Sequence, residues 1–180
     1  MNRARVLLPI LVIAVALLTP PAWALPGFRP LPAFSVEQRT YLDARDMAAD
    51  LVREALPGLR GRDGLLGIRV LSALQQARIL ASTDIRSQRL CAARQYSLFV
   101  NAYYHNQIFV CDEVRPHARN PNQDALDRIA QGFVHEAVHL TGEMDECEAT
   151  RFELAVMNQT IGIKSRGSQI RYGAQCRGRW

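Results

Sequence analysis

From Ser35 onward, apolar residues recur at helical spacing: Tyr41, Ala44, Ala48, Leu51, Val52 and Ala55 mark one face of a helix. Ser35 and Gln38 form a capping-box start, and Pro57-Gly58 stops the run. GLRGRDG reads as a loop, and Leu65 to Ala81 predicts a second helix in which Ile68, Val70 and Leu71 retain some strand character. The pattern changes near Tyr96. YSLFV and QIFV are β-prone runs on either side of NAYYHN, predicting a hairpin or two neighbouring strands. RPHARNPN follows as a loop, with Asn122 placed to cap the next helix. Ile129, Phe133, Ala137 and Leu140 then repeat every three or four residues, up to a left-handed stop at Gly142. Asp145 can cap a further helix, with Glu148 in the reciprocal position, running to about Thr160. This order predicts an α+β fold: a small domain, mainly helical, with a small sheet before the long helix.

The two ends read differently. In residues 1–24, Arg3 and Arg5 precede an apolar run from Val6 to Leu18, and Ala22-Trp23-Ala24 suits a signal peptidase. The run is short for a membrane span, so a cleaved signal peptide and an exported chain, periplasmic or secreted, are expected, with no stable membrane insertion afterwards. Residues 25–34 form a Pro-rich extended leader, and 35–180 a single domain. Removing Arg3 and Arg5 lowers the net charge from +5 to +3, since no acidic residue precedes Leu25. Lys164, Arg166, Arg171, Arg177 and Arg179 make the C-terminal segment basic, but it lacks the interleaved aromatics of a single-strand-binding surface. A solvated tail and no nucleic-acid partner follow. Four cysteines in an exported chain favour two disulfides. Three pairings of Cys91, Cys111, Cys147 and Cys176 exist; the pairing of chain neighbours, Cys91–Cys111 and Cys147–Cys176, is preferred.

The candidate chemistry lies in residues 132–152, GFVHEAVHLTGEMDECEATRF. His135 and His139, four apart on a helix, offer two imidazoles to one ion. Glu136 is rotated about 100° from His135, near the ion without being forced to bind it, while Gly132 is expected to leave open space one turn earlier. A catalytic zinc takes three protein ligands and a water whose pKa it lowers to about 7; a neighbouring carboxylate can move the proton. H-E-x-x-H therefore supplies two Zn2+ ligands, His135 and His139, and a general base, Glu136. Asp145, Glu146 and Glu148 are the candidates for the third ligand.

The stretch resembles the zincin metallopeptidases, over about twenty residues and a β-rich segment before them. Read as H-E-x-x-H-x-x-G-x-x-D, it is similar to the metzincins, with Asp145 as ligand, but the only later methionine, Met157, falls in a predicted helix. It looks more like the gluzincins, whose third ligand is a glutamate on the following helix. Glu146, with the small Ala149 three positions on and the polar Thr150 fourth, fits that arrangement and is preferred over Asp145 and Glu148. Thr150 departs from the aspartate often found there. The resemblance implies a zincin-like fold and an exported peptidase, in which a zinc-activated water attacks peptide or protein substrates and Glu136 is the base. It also implies an edge strand for extended peptide, for which Gln107, Ile108, Phe109 and Val110 are the candidates, and oxyanion partners among Tyr103, Tyr104 and His105. The alternative is a non-catalytic exported binding module stabilised by zinc and disulfides; a third reading is a metal-free interaction domain.

Overall fold

The computed structural model describes residues 25–94, 97–162 and Cys176. The expected signal peptide and all but Cys176 of the basic C-terminal segment lie outside them. The elements in chain order are β1 (Phe28–Arg29), α1 (Val36–Ala55), α2 (Arg62–Gln76), β2 (Arg78–Ser82), α3 (Ile85–Arg94), β3 (Leu98–Phe99), β4 (Gln107–Val110), α4 (Arg115–Arg119), α5 (Gln123–Leu140) and α6 (Glu146–Gln159). The fold is the mainly helical α+β arrangement expected.

The caps form where polar residues precede apolar periodicity. Ser35 accepts from the Gln38 amide at 3.1 Å, and Asn122 accepts from the Ala125 amide at 2.8 Å. The leader is more than a leader: Phe28 and Arg29 pair antiparallel with Ser82 and Ala81. The predicted second helix is also corrected, because it stops at Gln76 and its tail becomes β2. Ile79 to Ser82 are all buried, and a strand covered on both faces shows no alternation to separate it from a helix. Two short helices were missed. Asp84 caps α3 by accepting from the Arg86 and Ser87 amides at 2.9 and 3.0 Å, but Ser87 and Cys91 are its only buried residues, so the apolar signal is weak. α4 lies in the expected RPHARNPN loop, with Pro116 in its first turn, where proline's missing N–H costs little.

The sheet runs β1-β2-β4-β3: antiparallel at both ends, parallel between β2 and β4. On one side the main core joins Tyr41, Ala44, Ala48 and Val52 of α1 to Leu66, Val70 and Leu74 of α2, Phe133, Val134 and Ala137 of α5, and Phe152 and Val156 of α6. A smaller core packs Phe28, Phe99 and Phe109 with ring centroids 5.0 to 5.6 Å apart. Disulfides link Cys91 of α3 to Cys111 after β4, and Cys147 of α6 to Cys176, the pairing of chain neighbours. They suit an oxidising compartment. No helix among the described residues is long and apolar enough to cross a membrane.

Candidate metal centre

From Ile129 to His139, α5 is buried at almost every position, so its polar residues enter the interior with its apolar ones. Such burial is costly unless each polar group finds a partner. His135 and His139, one turn apart, bring their Nε2 atoms to 3.3 Å. Gly142, at φ 93°, turns the chain out of α5 through a left-handed backbone that costs other residues more. Asp145 then starts α6 by accepting from the amides of Cys147 and Glu148 at 2.9 and 3.1 Å. That start delivers Glu146 to the histidines: its Oε2 lies 3.0 Å from His135 Nε2 and 3.5 Å from His139 Nε2.

The remaining ring nitrogens settle what the three atoms are. His135 Nδ1 donates to Glu153 Oε2 at 2.9 Å, and His139 Nδ1 donates to the Glu143 carbonyl at 2.7 Å. With Nδ1 carrying the proton, a neutral imidazole has an acceptor at Nε2. Two such nitrogens and a carboxylate oxygen then converge, an arrangement that a cation between them would satisfy and that a proton on His135 would satisfy in its absence. Bond lengths of 2.0–2.2 Å at a tetrahedral zinc require ligand atoms about 3.3 Å apart; the observed edges are 3.0, 3.3 and 3.5 Å. The residues fit the ion. His135, His139 and Glu146 can hold a metal.

Charge balance points the same way. Burial opposes protonation of His135, but hydrogen bonds to Glu146 and Glu153 and the charge of Glu136 outweigh it, pushing its pKa up to about 10. His139 is also raised: burial resists, and the bond to Glu146 and the charge of Glu136 prevail. The bonds to His135 and His139 hold the Glu146 carboxyl below the usual carboxylate range. The potential at the ligand triangle favours positive charge.

Glu136 lies beside the triangle and is buried. Burial raises its pKa above the ordinary value against the pull of both imidazoles and the nearby backbone of Val100. Val100 directly follows β3. One turn earlier on the same face, a Cβ on Gly132 would come within 2.5 Å of Leu98 Cδ1. The space expected at Gly132 is therefore filled by the Leu98 side chain, which would have to move aside for a larger residue.

The other carboxylates have separate work. Asp145 is the cap of α6, and Glu148 pairs with Arg151 and Arg62 at 3.2 and 3.4 Å. The edge-strand expectation is corrected: Gln107, Ile108, Phe109 and Val110 form β4, which is buried between β2 and β3. The edge next to the centre is β3. Tyr103 and His105 are exposed, and Tyr104 packs edge-on against Phe109 at 5.8 Å. Sequence reasoning missed Glu153, whose other carboxylate oxygen accepts from Gln131. Its signal was spacing: Glu153 follows Glu146 by seven residues, two turns along the same face. The Glu143 carbonyl had no such signal, because any residue carries one.

No family model matches the chain, and neither the curated proteins nor the solved structures give a match.

Proposed function

We propose that this chain is a zinc-dependent peptidase, acting on extended peptide or protein segments in an oxidising, exported compartment. One observation carries the reading. Glu136, a non-ligand carboxylate, is buried beside a three-ligand triangle whose third member, Glu146, has a side chain 49% exposed. A structural site closes its coordination and has no use for an adjacent base, whereas a catalytic one keeps a position open toward solvent.

His135, His139 and Glu146 would hold the ion. Zinc there supplies the positive charge that makes water acidic near pH 7 and polarises a carbonyl. Glu136 takes the water proton and returns it to the departing amine, which balances the hydrolysis. β3 stands last in the strand order and ends beside α5, so an extended substrate laid along that end of the sheet would run past Glu136. The two disulfides and the signal-peptide pattern of residues 1–24 support export.

The test is zinc content and peptide hydrolysis by the mature chain beside Glu136→Gln. One zinc in both, with hydrolysis lost at least a hundredfold in the variant, is the expected result. Zinc in both and hydrolysis in neither would sink the peptidase and leave a zinc-stabilised binding module. A folded chain without zinc would remove the centre altogether.

A further inference from the structure

The ligands sit on two helices joined by residues 141–145, so the triangle survives only while α6 keeps one rotation and one height against α5. Two adjacent residues in the first turn of α2 reach both sides of this junction. Asp63 takes both arms of the Arg151 guanidinium, each at 2.7 Å, and Arg151 lies five residues after Glu146 on α6. Arg151 continues to Glu148 at 3.2 Å. Arg62 meets Glu148 at 3.4 Å and donates to the Glu143 carboxylate at 2.9 Å. The other Glu143 oxygen accepts from the Asp145 amide at 3.2 Å, and the Glu143 carbonyl is the group that orients His139.

We infer that Asp63 and Arg151, continued through Glu148, Arg62 and Glu143, position the metal centre by fastening α6 and the preceding turn to α2. The inference rests on His135, His139 and Glu146 holding a metal, not on peptidase activity. Isolated surface pairs contribute little. This network differs in being two-pronged, partly buried at Asp63, Glu148 and Arg151, and continuous with a ligand's own hydrogen bond. A planar guanidinium held at two points also fixes direction, which a lysine would not. The contrast lies within the same molecule: Glu37, Arg115 and Arg119 form a comparable ion cluster between α1 and α4 that bonds no residue of the centre.

The experiment measures zinc affinity of the mature chain by chelator competition, and the absorption spectrum of the cobalt-substituted protein. Asp63→Asn should weaken zinc roughly tenfold and alter the cobalt spectrum, as loss of an outer partner does, with Asp63→Glu restoring most of both. Arg62→Gln, at the exposed end of the network, should cost roughly threefold and does not depend on the Asp63 variant folding. Glu37→Gln destabilises the chain elsewhere and should leave the folded protein's zinc affinity within about twofold of wild type. Unchanged affinity in both Asp63→Asn and Arg62→Gln overturns the inference. So does an equal loss in Glu37→Gln, which would make the effect general destabilisation. A wild-type chain that binds no zinc overturns it together with the centre; one that binds zinc but cleaves nothing leaves it standing and removes only the peptidase.

Discussion

The two histidines can serve as ligands because of what their outer nitrogens touch. Glu153 is fully buried, bonded to His135 on one oxygen and to Gln131 on the other. A carboxylate there both orients the ring and adds to the negative potential around the ion. Glu153→Gln keeps the volume and removes the charge. It should weaken zinc on the order of tenfold while the chain still folds, as judged by chelator competition beside far-ultraviolet circular dichroism. Affinity equal to wild type would mean that Glu153 serves only packing. The side-by-side placement of His135, Glu136 and His139 was legible from spacing alone, because residues in one helical turn share a neighbourhood. Glu153 and Glu143 were not, since their roles depend on how α6 and the turn are set against α5.

At the scale of elements, the start of α6 decides which carboxylate meets the two histidines. Asp145 satisfies two amides of the first turn and so is turned away from the histidines, while the next residue faces them. A cap and a ligand respond differently to substitution. Asp145→Ser preserves an acceptor for the helix amides, so zinc content should be kept; Asp145→Ala should cost about 1 kcal/mol of stability, read by chemical denaturation. Loss of zinc in Asp145→Ser would return Asp145 to the ligand set. The β2 segment teaches a related lesson. A buried apolar run carries no period of its own, and pairing with β1 and β4 resolves it as a strand.

For the whole molecule, much of the acid sensitivity should come from a place remote from the centre. Burial alone would raise the Glu37 carboxyl, but the bonds and charges of Arg115 and Arg119 outweigh it and hold it below its ordinary value. A carboxyl lowered in the folded state binds fewer protons than in the unfolded chain. Its contribution is complete above the unfolded value, about pH 4.3, and is lost as pH falls through the folded one. Glu37→Gln leaves Arg115 without its carboxylate and should cost on the order of 3 kcal/mol at pH 7. The gap to wild type should narrow as pH falls below about 4. A gap independent of pH in urea unfolding would show that the ion pair is not its source.

Local pattern by itself determined the long helices, their caps at Ser35, Asn122 and Asp145, the stop at Gly142, and the pair of imidazoles with its adjacent carboxylate. Each depends on neighbours within a turn or two. Tertiary structure decided what depends on distant groups meeting. The leader residues Phe28 and Arg29 became a strand by pairing with β2, and Gln107–Val110 became an interior strand because β2 and β3 both claimed it. Glu146 was separated from Asp145 and Glu148 by the rotation of α6, which Arg151 and Asp63 secure across 88 residues of sequence. Periodicity reports which face of an element is apolar. It does not report which partner that face will meet, and the candidate metal centre is built from such meetings.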